Sequence, residues 1–148
     1  MSANNYGTAN PVIYPAYGTM GADVACPSGV ETTVLDIGNT FAISPGVYYP
    51  LIWLNIWISI GATPPNPCLV AGRLNGGADF QSVGPNPLSL VANANIYQNY
   101  VLRGPISPTL WTTTGGDITI TVNPTGQAVT VRSYGTYAWL FLMRAPDQ

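Results

Sequence analysis

The residues able to do acid–base or nucleophilic chemistry are few in this chain, and their spacing argues against a catalytic site. The carboxylates are Asp23, Glu31, Asp36, Asp79, Asp117 and Asp147, well separated along 148 residues. A glycosidase-type pair would have to be assembled by the fold, whereas Asp36 and Asp117 stand at or beside expected strand ends near glycine, where carboxylates cap turns. Histidine and lysine are absent. Their absence removes Ser-His and Cys-His nucleophiles, imidazole metal sites, Schiff-base lysines and phosphate-loop lysines together. No D-x-D-x-D-G spacing offers a calcium loop, and the glycine pair in RLNGGADF (73–80) has neither a lysine nor a following helix to make a phosphate cradle. It is expected to be a tight turn between strands. We therefore expect no enzyme activity, no cofactor and no metal.

Two cysteines, Cys26 and Cys68, could form one bridge. A lone pair without a secretory signal usually stands for two buried thiols, and the sequence contains no distance with which to choose. The opening MSANNYGTAN has neither a basic nor an apolar signal-peptide region, so none is expected. Four tryptophans, Trp53, Trp57, Trp111 and Trp139, have the chemistry to stack on sugars. Three of them lie in long apolar stretches, where core or subunit packing accounts for the rings; Trp111, in SPTLWTTTGG, is the candidate for an exposed binding residue.

Charge is the unusual quantity. Only 7% of the residues are charged, against roughly 25% in an average soluble protein, and the cations are Arg73, Arg103, Arg132 and Arg144. Such a chain has little to hold copies of itself apart, which suits a surface covered by other subunits. The formal net charge of −2 offers nucleic acid no basic patch, so none is expected as a partner.

These side chains must be positioned by strands. The run YYPLIWLNIWISIG (48–61) is the most hydrophobic in the chain, but its apolar part is shorter than the roughly 20 residues of a membrane helix. Its period is two: Ile52, Leu54, Ile56, Ile58 and Ile60 share one face, and Leu51, Trp53, Asn55, Trp57 and Ser59 the other. No membrane partner is expected. Short apolar runs punctuated by Gly, Pro and Asn predict strands at 30–37, 40–43, 48–60, 68–74, 80–83, 88–92, 96–103, 110–113, 118–122, 127–132 and 136–144. In DITITVNPTGQAVTV the two alternating runs around Asn-Pro-Thr-Gly predict a hairpin. The last run is apolar on both faces, with Tyr137, Trp139, Phe141 and Met143 opposite Ala138, Leu140 and Leu142, as a central strand covered twice would be. Many short strands and no helical period give an all-β fold, a sandwich or barrel. Residues 1–29 contain Tyr6, Tyr14 and Tyr17 among Asn, Gly, Ala and Pro without periodicity, and are expected to form an extended N-terminal arm ahead of a domain at 30–148.

The series ETTVLDIGNTFAISPGVYYPLIWLNIWISIG, CLVAGRLNGGADFQS and ITITVNPTGQAVTVRSYGTYAWLFLMRAP resembles the single jelly-roll β-sandwich, two antiparallel sheets, of tumour-necrosis-factor-like and complement-type trimers. It is similar in particular to the decoration, or cement, proteins of tailed bacteriophages. The resemblance is one of strand pattern over about residues 30–146. It implies a homotrimer seated on the outside of a capsid at junctions of the major capsid protein, stabilising the shell, made in the host cytoplasm and located on the virion. It also implies that Trp53, Trp57, Tyr137, Trp139, Phe141 and Met143 pack between subunits or sheets. Tyr6, Tyr14 and Tyr17 would belong to an arm that clasps the shell or a neighbouring protomer. Two other classes fit the same sequence: a single-jelly-roll major capsid protein, and a carbohydrate- or receptor-binding module using Trp111.

Overall fold

Strong alternation in long apolar runs demands two sheets that can share one core, and the chain supplies them. A computed structural model describes residues 13–37, 46–74, 78–82, 91–103, 109–111 and 118–144. The strands are β1 (Ile13–Thr19), β2 (Val24–Cys26), β3 (Thr32–Asp36), β4 (Gly46–Ile60), β5 (Cys68–Leu74), β6 (Ala78–Ser82), β7 (Asn95–Arg103), β8 (Thr109–Trp111), β9 (Ile118–Pro124), β10 (Val129–Val131) and β11 (Tyr137–Arg144). Every pairing is antiparallel, and no helix occurs among the described residues.

A front sheet runs β1-β11-β4-β7, with β8 and β10 paired to the two ends of the long β4 and β2 paired to β10. A back sheet runs β3-β9-β5-β6. Strand β6 joins them: Ala78, Asp79 and Phe80 pair with β5, and Gln81 and Ser82 continue onto Arg103 and Leu102 of β7.

The inward faces follow the alternation. Ile52, Leu54, Ile56, Ile58 and Ile60 of β4, with Leu102 and Leu140, meet Val70, Ile118, Ile120 and Val122 of the back sheet, and all are buried. Each such side chain contributes about 1.5–3 kcal/mol by leaving water. The expected β-sandwich is the observed architecture. Cys26 and Cys68 are both free and fully buried in this core. Burial pushes their thiols up to about 11 and about 12 respectively, so neither is a ready nucleophile.

Three expectations meet a different outcome. Within the segment read as an arm, Ile13–Thr19 and Val24–Cys26 are strands of the front sheet, paired with β11 and β10. These edge positions are held by backbone pairing, which needs no apolar alternation in the strand itself. Tyr6 lies outside the described residues. The second difference is the hairpin: β9 and β10 are not partners, since β9 pairs with β3 and β5 in the back sheet and β10 with β2 and β4 in the front one. Both runs alternate because both border the core, from opposite sides. The reversal at Gly126, φ +88°, crosses the sandwich, and its backbone is tied elsewhere: Thr125 N–H donates to Pro67 O (2.8 Å), Asn66 N–H to Thr125 O (2.9 Å) and Gly29 N–H to Pro124 O (2.7 Å). Third, of the strand expected at 88–92, Val91 and Ala92 lie in a turn ahead of β7, while 88–90 and the strand expected at 40–43 lie outside the described residues. The reversal expected within 73–80 is present as the antiparallel pair β5 and β6, with Leu74 opposite Ala78.

Candidate docking face

Antiparallel register sets side chains on one face of a sheet into rows running across the strands. In the front sheet one such row is Tyr17 of β1, Trp139 of β11, Trp53 of β4 and Val101 of β7. All four point away from the core, and they are 50%, 37%, 48% and 38% exposed. At strand spacings of ~4.8 Å the row is about 14 Å wide. The rings are organised: Tyr17 and Trp139 have centroids 4.6 Å apart, Tyr17 and Tyr137 6.0 Å, and Trp139 stacks on Phe141 at 6.4 Å with 18° between planes. Leu51 and Phe141 are half-buried in the row beyond, opposite each other in register.

The row on the other side is polar. Asn55 lies between Tyr137 and Asn99 in register and is buried although it stands on the outward face. Beyond it, Trp57 faces Tyr97 edge-on at 6.4 Å and 90°, and Tyr134 lies against it at 5.6 Å. The Tyr97 hydroxyl is raised above its ordinary range, chiefly by the neighbouring Tyr137 hydroxyl. The backbone N–H of Trp57 donates to Thr136 Oγ1 (2.9 Å), and the turn carrying Tyr134 closes onto the indole through Gly135. That glycine has φ +84°, and a Cβ there would sit 3.1 Å from Trp57 Cε3. Glycine is required both by the conformation and by the close approach.

The structure thus brings Trp53, Tyr137, Trp139 and Phe141 onto one outward face and adds Tyr17, which the sequence had assigned to an arm. Trp57 belongs to the same face but to a separate aromatic group. The backbones of Tyr14 and Met143 lie in β1 and β11, at register positions opposite Leu142 and Ile13. Trp111 ends β8 opposite Gly46. Val101 and Tyr97 were missed. Their signal was available in NIYQNYVLR, where Tyr97, Asn99 and Val101 alternate with Ile96, Gln98, Tyr100 and Leu102, but which half faces out is decided only by pairing with β4.

Of the ion pairs among the described residues, Asp23–Arg132 lies beside the Trp57 and Tyr134 group, and Glu31–Arg73 lies on the back sheet. On the back sheet Arg73 Nε and Nη2 donate to the two oxygens of Glu31 (2.6 and 2.9 Å), and Thr121 Oγ1 donates to Glu31 Oε1 (2.7 Å). These bonds hold the Glu31 carboxyl below its ordinary range. Among the described residues no group of three His, Cys, Asp or Glu side chains could hold a metal. A scan against family models finds no match for this chain, and a search of curated proteins by sequence finds none.

Proposed function

We propose that this chain is a virion structural protein, a homotrimeric decoration or cement protein that binds the outside of a phage capsid and stabilises the shell. The observation that carries the proposal is the exposed row Tyr17, Trp139, Trp53 and Val101, a contiguous aromatic strip on a chain with only 7% charged residues. A face of this kind marks an interaction surface. A closed cyclic assembly can hide it on every copy without leaving an adhesive patch to form fibres. The strand orders β1-β11-β4-β7 and β3-β9-β5-β6, eight strands in two antiparallel sheets, support the jelly-roll form of the sandwich. The threefold order and the capsid partner rest on the strand-pattern resemblance. Added to a shell, such a trimer acts by linkage: it binds the correctly assembled lattice and makes disassembly less favourable, with no chemistry required.

Light scattering on the full chain at micromolar concentration tests the assembly. Three times the chain mass is expected; a stable monomer would refute the trimer, and a dimer would refute its symmetry. Images of the native particle test the partner. Decoration predicts this chain outside a separate main shell protein and in fewer copies, whereas finding it as the sole shell component would make it the major capsid protein. Removing residues 1–12, which spares β1, is expected to weaken attachment to the shell while leaving the assembled mass unchanged, measured by co-sedimentation with particles.

A further inference from the structure

Away from the aromatic strip, at the far end of β4, the same sheet carries a second feature with different chemistry. An open pocket of about 290 Å³ is lined by Asp23, Trp57, Asn95, Arg132 and Tyr134. Trp57 is four residues along β4 from Trp53, about 13 Å at ~3.3 Å per residue, so the pocket and the strip are separate places on the front sheet.

Two walls are aromatic. Tyr134 is 81% exposed, and its ring lies 5.6 Å from that of Trp57 at 58°, making an open corner. The Trp57 indole N–H is buried and has no protein acceptor, leaving one donor unmatched at this ring. The remaining walls are planar polar groups. Arg132 Nη1 donates to Asp23 Oδ2 (2.8 Å), while Ser133 N–H and Oγ donate to Asp23 Oδ1 (2.8 and 3.0 Å). Arg132 is fixed further by its backbone N–H, which donates to Trp57 O (2.9 Å), and by Nη2, which donates to Ser59 Oγ (3.4 Å). Carboxylate and guanidinium are therefore held in place before any ligand arrives, and their charges cancel.

We propose that this pocket is a binding site for a neutral saccharide. Pyranose rings present a C–H face that packs on an aromatic plane and a rim of adjacent hydroxyls that pairs with planar donors and acceptors. Tyr134 and Trp57 provide the first; Asp23, Asn95 and Arg132 provide the second. A cancelled charge pair gives no net attraction to phosphate, sulfate or carboxylate, which selects an uncharged ligand. At about 290 Å³ the pocket lies just below the ~300–1,000 Å³ range of small-molecule sites, which suits one or two sugar rings at the end of a longer glycan. Several copies in one assembly would multiply weak single-site binding on a glycan-coated surface.

The test uses the full chain on an array printed with neutral hexose and N-acetylhexosamine glycans beside sialylated and sulfated ones, followed by saturation-transfer NMR with the bound neutral sugar. Binding to neutral glycans is expected, with about tenfold weaker affinity in Tyr134→Ala and in Asn95→Ala. Both side chains are exposed, and the assembled mass should be unchanged in both variants, which separates failure here from failure of the trimer. No neutral glycan bound, a preference for charged glycans, or equal binding by wild type and both variants would overturn the site. Loss of binding in Trp111→Ala with Tyr134→Ala unaffected would overturn it as well, by moving recognition elsewhere.

Discussion

The two outward faces of this sandwich are built from similar backbone and opposite side chains. Across the back sheet, the register row Thr33, Thr121, Ala71 is small and polar, and Thr121 is capped by the Glu31–Arg73 pair. Across the front sheet, the row Tyr17, Trp139, Trp53, Val101 is large and apolar. Water is an adequate neighbour for the first. The second leaves 37–50% of each tryptophan and tyrosine surface in water, although the same rings could have been turned inward by a shift of one residue in register. The inward positions are filled mainly by isoleucine and leucine, with Ala138 and Tyr100 beside them. The contrast teaches that the exposed aromatic rings are not spread evenly: in register they gather into one row of the front sheet, and the compared row of the back sheet has none.

The contrast can be broken or sharpened by substitution. The largest effect is expected from Trp139→Asp, which puts a charge in the middle of the front row. If that row meets another copy, assembly is lost by more than about 2 kcal/mol per protomer, and light scattering gives a folded monomer; an unchanged mass would mean that the row faces water in the native protein. Its neighbour Leu140 points the other way, so Leu140→Ala should destabilise folding by about 2–5 kcal/mol in denaturant titrations. A common phenotype for these two adjacent residues would contradict the division of faces. On the back sheet Arg73→Met should change stability by no more than about 1 kcal/mol and leave the mass untouched, because its partner is partly solvated.

The smallest effect is expected from acid. Asp23 titrates at about 2 instead of 3.8, chiefly through its bond from Arg132, and the Glu31 carboxyl is also lowered, chiefly by Arg73. Because the folded pKa values lie below the unfolded ones, these groups stabilise the fold fully above about pH 5. The contribution is lost as pH falls through the folded values, toward about 2 for Asp23. Thermal unfolding followed from pH 6 to 2 should show a shallow decline over that window, made shallower by Arg132→Gln.

Much of the sandwich is legible in the sequence where alternation is strong. The expected strand at 68–74 coincides with β5, those at 48–60, 96–103 and 136–144 agree with β4, β7 and β11 to within two residues, and the aliphatic face of β4 is buried as its period requires. What is not legible is pairing. The runs at 118–122 and 127–132 look like one hairpin because a core seen from two sides imposes the same pattern as a core seen from one. Strands β1 and β2 escape notice because Tyr, Pro, Gly and Ala in IYPAYGT carry no alternation; their place is decided by open edges of β11 and β10. The docking face was legible in part for the same reason. Period two puts Trp53 opposite Ile52 and Trp139 opposite Leu140, but only register joins them to Tyr17 and Val101 in one row. The polar pocket, assembled from Asp23, Asn95 and Arg132, has no sequence signal at all.

Gly18 bears on how many copies such a molecule can gather. A Cβ at this position would lie 2.9 Å from Leu35 Cδ2 and 3.2 Å from Asp36 O, so β1, the margin of the front sheet, rests directly on β3, the margin of the back one. On the opposite side β6 stitches the two sheets into continuous ladder. Among the described residues β1 thus packs over β3 and β6 bridges the sheets on the other side, and β2 and β8 are three residues each, so short or packed strands make poor templates for a foreign strand. Growth by strand addition has no natural end, while contact through a broad face stops once that face is covered.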